Sequence, residues 1–167
     1  LEEALAGYDA ALAVKSDNIA ALNNRGAVLD QLSRHEEAIA AFDRLLSLKP
    51  DHRDALVNRG NALVSLGRHD EALSSYDRAL SLMPDNAAAL YGKGNALAKL
   101  GRNYEALDSY TKAIALAPAH AEAFNNRAVL LMQLSRFAEA LRDYDQALAI
   151  KPDYEESLYG RGSALIE

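Results

Sequence analysis

The sequence contains no cysteine and no tryptophan among its 167 residues. The absence of cysteine excludes disulfides, thiol nucleophiles and cysteine-based zinc or iron–sulfur sites. Valine, isoleucine and threonine together number only 11, which leaves little from which to build a β-sheet. No apolar run approaches the roughly 20 residues that a membrane helix needs. The formal charge of −6 argues against a general nucleic-acid binder.

The residues that are abundant favour helices. The chain has 33 alanines and 27 leucines, both strong helix formers. We therefore expect an all-helical protein that has neither nucleic acid nor a membrane among its partners.

A repeat of 34 residues organises the whole chain. The prolines mark this period at Pro50, Pro84, Pro118 and Pro152. Two columns of small residues follow the same period. They hold Gly26, Gly60, Gly94, Ala128 and Gly162 in the first column, and Ala38, Ala72, Ala106 and Ala140 in the second.

Each period predicts a pair of antiparallel helices. Apolar residues keep helical spacing on both sides of a break, and Gly or Ser at the break can end the first helix. A glutamate then falls in the first turn of the second helix, where the helix dipole favours negative charge. Each helix is expected to span roughly 13 residues, with short turns between helices. Between the paired helices, Gly60 is expected to face Ala72.

The spacing Leu–Gly–Leu, then Ala–Tyr–Ala, then Pro resembles the tetratricopeptide repeat. This resemblance covers the whole chain, although Leu or Phe stands where the family pattern has tryptophan. It implies an all-α, right-handed α-solenoid in which stacked hairpins share one core. The predicted array has a lone second helix at 1–18, full repeats at 19–52, 53–86, 87–120 and 121–154, and a lone first helix at 155–167. Because the chain begins without Met and stops inside an apolar pattern, we expect a fragment of a longer protein.

The resemblance also implies a concave groove lined by the first helix of each repeat. The candidate groove residues are Asn23, Asn24, Asn58, Asn61, Tyr91, Asn95, Lys99, Asn125, Asn126 and Tyr159. Seven of the ten asparagines in the chain lie in these columns, although asparagine is a poor helix former. A carboxamide can both donate and accept, so such a row could bond the main chain of an extended peptide. The alternative is that these side chains bond adjacent helices or water.

Two groove types within the family give a further contrast. One holds a C-terminal carboxylate with Lys and Arg, and its columns hold other residues here. The other is a ladder of asparagines, as in the arrays of O-linked N-acetylglucosamine transferases. The present groove is similar to that ladder, with interruptions at Gly92 and Gly160.

A basic column and an acidic column predict ion pairs. Arginine or lysine recurs at Arg25, Arg59, Lys93, Arg127 and Arg161, and aspartate at Asp9, Asp43, Asp77 and Asp145, with Thr111 in the third repeat. Because the repeat that loses aspartate also has lysine, we expect bidentate Arg–Asp pairs with a structural role. The four histidines are too widely spaced for a shared metal site.

No catalytic motif rises above background, so we expect no enzyme activity and no cofactor or metal. The leading hypothesis is an interaction scaffold that holds an extended peptide or protein segment in its groove. One alternative is a substrate-presenting arm of a larger glycosyltransferase-type enzyme. Another is head-to-tail self-association through apolar, uncapped ends. The compartment cannot be read from the chain, although the cytoplasm is favoured.

Overall fold

The structure is a computed structural model that describes residues 1–166, so Glu167, the last residue of the predicted 155–167 helix, lies outside it. The described residues form ten α-helices and no β-strand. They divide into two compact units, the first spanning Leu1–Pro84 and the second beginning at Asp85. The all-helical prediction and the organisation into helix pairs are therefore confirmed.

The first unit contains two helix hairpins preceded by a single helix. Its helices are α1 (Glu2–Val14), α2 (Ile19–Gln31), α3 (His35–Leu48), α4 (Arg53–Ser65) and α5 (His69–Leu82). Helix α2 pairs with α3 and α4 pairs with α5, while α3 also packs against α4. The first helices α2 and α4 lie beside each other in the stack.

The second unit contains two hairpins followed by a single helix. Its helices are α6 (Ala87–Lys99), α7 (Asn103–Leu116), α8 (Ala121–Gln133), α9 (Phe137–Ile150) and α10 (Glu155–Ala164). Helix α6 pairs with α7 and α8 pairs with α9, and α7 and α9 each pack against the following helix. Helix α8 contacts both α6 and α10, so the first helices again form one layer.

The turn inside each hairpin needs a left-handed residue. Gly67 and Gly101 have φ of 73°, and the equivalent Ser33 and Ser135 have φ of 58° and 57°. Glycine adopts this conformation without steric cost, whereas serine does so with strain. The break predicted at Gly or Ser therefore corresponds to a left-handed turn after the first helix.

The start of each second helix is held by an arginine–glutamate fork. Arg34 places Nε and Nη2 at 2.7 and 2.8 Å from the two carboxylate oxygens of Glu37. The same bidentate contact recurs at Arg68–Glu71, Arg102–Glu105 and Arg136–Glu139. In each pair the arginine hydrogen bond holds the pKa of the glutamate below its usual value. The sequence analysis assigned these glutamates only to the helix dipole.

The glycine column accommodates an aromatic ring. A Cβ atom at Gly60 would lie 2.6 Å from Cε1 of Tyr76, and one at Gly94 would lie 2.6 Å from Cε1 of Tyr110. Both tyrosines are almost fully buried, with relative exposures of 1% and 2%. The expected contact of Gly60 with Ala72 is therefore corrected, because the atoms closest to Gly60 belong to the Tyr76 ring.

The predicted Arg–Asp pairs form between repeats. Arg25 and Arg59 donate through Nε, at 2.6 Å in both cases, to the aspartate 16 residues earlier. Thr111 accepts a bond from Arg127, which also forms a bidentate pair with Asp143 at 2.7 Å. The prediction was therefore wrong in pairing the basic residue with the acidic column of its own repeat. The bidentate partner, Asp143, lies outside that column.

Candidate partner-binding surface

All ten candidate groove residues lie on first helices. We call the outward sides of α2 and α4 the first-helix surface of the first unit, and those of α6, α8 and α10 the first-helix surface of the second unit. The candidates differ sharply in whether their polar groups are already bonded. That difference decides which of them could meet a partner.

In the first unit, two asparagines keep polar groups free. Asn58 on α4 is half-buried and makes no side-chain hydrogen bond to the described residues. Asn24 on α2 is exposed, and its only side-chain contact is the Nδ2 of Asn23, 3.5 Å from its Oδ1. Asn23 itself has a buried Oδ1 without a donor. Asn24 and Asn58 thus present unpaired amide groups on two neighbouring helices.

Two further asparagines accept hydrogen bonds from buried tyrosines. The Tyr76 hydroxyl donates to Asn61 Oδ1 at 2.7 Å, and the Tyr110 hydroxyl donates to Asn95 Oδ1 at 2.8 Å. Burial raises the pKa of both phenols above the ordinary tyrosine value. These two carboxamides satisfy the only polar atom of each buried ring, which is a structural role that the sequence analysis left as an alternative.

In the second unit, the asparagines join three helices. Asn126 Nδ2 lies 3.0 Å from both the Tyr91 hydroxyl and Asn95 Oδ1 on α6. Asn125, which is 5% exposed, donates to Asn126 at 3.3 Å and accepts the Ser157 hydroxyl of α10 at 2.9 Å. These carboxamides therefore bond adjacent helices, as the alternative interpretation proposed for them.

An apolar recess opens between α8 and α10. It has a volume of about 640 Å³. It is lined by Val129, Met132, Gln133, Tyr144, Glu155, Glu156, Tyr159, Gly160 and Ser163. Tyr159, one of the candidate groove residues, is 81% exposed. The recess itself was not predicted, and its signal is Val129, which interrupts the column that holds Asn61 and Asn95.

Tyr144 forms the base of this recess. Its side chain is buried, with 2% exposure, and its hydroxyl makes no hydrogen bond to any of residues 1–166. A Cβ atom at Gly160 would lie 2.4 Å from Cζ and 2.5 Å from the hydroxyl oxygen of this tyrosine. Burial raises the pKa of Tyr144. The Tyr144 hydroxyl is thus a polar group in a recess whose lining is mainly apolar.

Lys99 is the only charged residue among the ten candidate groove residues. Lys99 is exposed at the end of α6 and forms no ion pair with the described residues.

Across residues 1–166 there is no group of three side chains that could hold a metal ion. His52 caps α4 by accepting the Ala55 N–H at 3.2 Å. None of the helices described has both the length and the hydropathy that crossing a bilayer would require.

Comparison with family models covers most of the chain. A model described as a tetratricopeptide repeat matches residues 19–52, 87–120 and 121–154. A second model, described as a TPR repeat, matches residues 60–101. No curated protein matches the sequence significantly.

Solved structures with the same fold are numerous. YrrB, described as a TPR protein with an unusual peptide-binding site, is 30% identical, with a TM-score of 0.80, and the match covers 96% of this chain and 83% of YrrB. A thermophilic TPR protein of Thermus thermophilus is 24% identical, with a TM-score of 0.80 and coverages of 98% and 89%. MamA of Desulfovibrio magneticus RS-1 is 20% identical, with a TM-score of 0.83 and coverages of 92% and 86%. The last two similarities support the fold alone.

Proposed function

Because this chain belongs to the tetratricopeptide repeat family, we propose that it is a protein-interaction scaffold that binds an extended peptide segment on its first-helix surfaces. The observation that carries this proposal is that Asn58 makes no side-chain hydrogen bond and that Asn24 makes only the long 3.5 Å contact with Asn23, which leaves its Nδ2 group unpaired. Asn24 and Asn58 lie on adjacent first helices of one unit. The similarity to YrrB, which is described as having a peptide-binding site, supports the proposal.

Asparagine inside a helix lowers the stability of that helix. Asparagine at an interior helix position costs about 0.5 kcal/mol or more relative to alanine. Asn61, Asn95, Asn125 and Asn126 offset that cost by bonding to other helices. Asn24 and Asn58 have no such compensation beyond the single 3.5 Å contact of Asn24. A peptide main chain would supply it, because an amide can pair with both an N–H and a C=O group.

The asparagines that remain available to a peptide therefore lie in the first unit, at Asn24 and Asn58. In the second unit, apolar contact with Met132 and Tyr159, which line the recess, would hold the peptide instead. Binding through uncharged amides and apolar contacts should depend weakly on ionic strength.

The proposal is tested by selecting displayed random 12-residue peptides against the chain and measuring one synthetic, fluorescein-labelled winner by anisotropy. The double change Asn24→Ala and Asn58→Ala should weaken binding several-fold, because each net hydrogen bond contributes about 0.5–1.5 kcal/mol. The matched control is Asn103→Ala, which removes an unbonded asparagine from the second helix α7 and should leave affinity unchanged. Equal affinity in both variants would overturn the proposal.

Self-association is a second candidate, favoured by exposed apolar residues on α10 and at its C-cap. Leu158 and Leu165 are 51% and 59% exposed. A second copy that covered them would form a head-to-tail, heterologous contact. Sedimentation equilibrium should then show concentration-dependent mass in the native chain and a monomer in Leu158→Glu. A native monomer at all concentrations would exclude it. The glycosyltransferase-arm alternative stays a prediction, to be tested on the parent gene.

A further inference from the structure

The apolar recess lies where the fourth repeat departs from the second and third repeats at two adjacent positions, Ala128 and Val129. Ala128 replaces the glycine that lies against the buried ring in the second and third repeats. A methyl group at position 128 would crowd a ring placed as those of Tyr76 and Tyr110 are, since a Cβ atom at Gly60 or Gly94 would lie 2.6 Å from Cε1 of that ring. The ring of Tyr144 lies against Gly160 of the next first helix. An asparagine such as Asn58 could not occupy position 160, since even a Cβ atom would lie 2.4 Å from this ring.

A second departure leaves the Tyr144 hydroxyl without an acceptor. In the second and third repeats, Asn61 and Asn95 accept the hydroxyl of the equivalent tyrosine. Val129 occupies the corresponding position of the fourth repeat and has no polar atom to offer. The Tyr144 side chain is 2% exposed as a whole, and its hydroxyl, which has no partner among the described residues, is an accessible polar atom in the lining of the recess. Because this hydroxyl is accessible and can both donate and accept a hydrogen bond, a polar ligand atom that enters the recess could pair with it.

We infer that the recess binds an aromatic side chain that carries a hydrogen-bonding group, tryptophan or tyrosine, within a basic peptide segment. This inference rests on the proposed peptide-binding function and specifies its partner. The walls from Val129, Met132 and Tyr159 provide apolar contact. The volume of about 640 Å³ lies within the range of ligand pockets. An indole N–H or a phenol O–H at the base would pair with the Tyr144 hydroxyl.

The rim of the recess determines the charge of the partner. Glu155 and Glu156 are exposed, line the recess and form no ion pair with the described residues. Each of the other first helices carries at most one acidic residue in its first turn. Two adjacent carboxylates on a chain of net charge −6 favour lysine or arginine beside the aromatic residue.

The absence of tryptophan from the chain provides a direct assay. The probe is a synthetic peptide, Gly-Ser-Arg-Trp-Lys-Ser-Gly with blocked termini, and its tryptophan emission is the only indole signal in the mixture. Binding in the recess should shift the emission to the blue and protect it from acrylamide quenching. Replacing the tryptophan by serine in a fluorescein-labelled copy should weaken binding at least about tenfold, as expected for an aromatic anchor. Replacing the two basic residues by glutamine should weaken it several-fold.

Two variants of the chain test the recess itself. Val129→Asn gives Tyr144 the acceptor that its equivalents have and should reduce affinity at least about tenfold. Tyr159→Ala removes an exposed wall without disturbing the core, so it should lower affinity while leaving the melting temperature unchanged. This second variant decides the question if Val129→Asn fails to fold. Loss of the blue shift in Tyr159→Ala supports the inference, and native affinity in a folded Val129→Asn overturns it.

The outcome separates this inference from the proposed function. If the selected random peptides bind and respond to Asn24→Ala with Asn58→Ala, while the tryptophan probe does not bind, the inference is wrong and the scaffold function stands. If the probe binds and responds to Tyr159→Ala but no peptide responds to the asparagine changes, the recess is correct and the asparagine proposal is wrong. Failure of every peptide to bind overturns both.

Discussion

The contact between Gly60 and the Tyr76 ring predicts that adding one methyl group will destabilise the first unit. In Gly60→Ala the new Cβ would lie 2.6 Å from Cε1 and 2.7 Å from Cζ of the ring. The ring cannot move away freely, since it is 1% exposed and its hydroxyl is held by Asn61 at 2.7 Å. Such overpacking typically costs about 1–3 kcal/mol.

The same change also improves helix propensity, and a control in the same unit isolates that gain. Alanine is preferred to glycine inside a helix by about 0.8–1.0 kcal/mol. Gly7 lies inside α1 with nothing within 4 Å of an added Cβ, so Gly7→Ala should show the propensity gain alone. The difference between the two variants is then the overpacking cost. Gly60→Ala should be the less stable of the two by about 1–3 kcal/mol.

The assay is thermal unfolding followed by circular dichroism at 222 nm. For a chain of this size, 1 kcal/mol corresponds to a shift of about 2–4 °C in melting temperature. Combining Gly60→Ala with Tyr76→Leu should remove most of the additional cost, because the ring that makes the clash is gone. The reasoning is refuted if Gly60→Ala melts at or above the temperature of Gly7→Ala.

Four further outcomes follow from the contacts described. Tyr76→Phe should cost about 0.5–1.5 kcal/mol by losing its bond to asparagine, whereas Tyr144→Phe, which loses no bond within the described residues, should leave the melting temperature unchanged. Ser33→Gly should raise stability by up to about 1 kcal/mol, because it relieves a positive φ of 58°; an unchanged melting temperature would contradict this. In urea unfolding, Arg127→Ala should lower the free energy of unfolding more than Arg161→Ala does. The first change leaves Asp143, which is 5% exposed, without its bidentate partner, whereas the Arg161–Asp145 pair is exposed. Equal losses would argue against the effect of burial. Burial raises the pKa of the Tyr76 and Tyr110 phenols above about 10, the pKa of tyrosine in the unfolded chain. The free energy of unfolding should therefore be unaffected by these groups below about pH 10 and should fall as pH rises beyond it. Melting temperatures that do not decline between pH 9.5 and 11.5 would refute this prediction.

The repeat and its helices could be predicted because they depend on local patterns. Helical spacing of apolar residues and a turn residue such as Gly67 act over a few positions, and the period repeats them through the chain. The arginine–glutamate forks also have a local signal, since their partners are three residues apart. The helix dipole alone favours a glutamate at this position, so the glutamate column by itself does not indicate an arginine partner.

The candidate site was predicted less well. The same residue type at the same position of two repeats can have different neighbours, and the sequence does not show which neighbours it has. Asn58 and Asn126 share one column, yet Asn58 is unbonded and Asn126 bonds to Tyr91 and Asn95. Tyr91 is 35 residues and Asn95 is 31 residues before Asn126, so both lie in the preceding repeat. The recess was missed for a related reason, since its signal is a joint departure at Ala128, Val129 and Gly160 that has meaning only once the Tyr144 ring is placed.

The amino-acid order alone determined that the chain forms helix pairs of one length, with turns at defined positions. This was possible because backbone preferences and apolar periodicity are properties of short segments. Only the packed structure decided which carboxamides remain available and where an apolar recess opens. Both depend on what the neighbouring repeat places opposite a side chain, and a hydrogen bond or a steric contact is fixed by distances of a few tenths of an ångström.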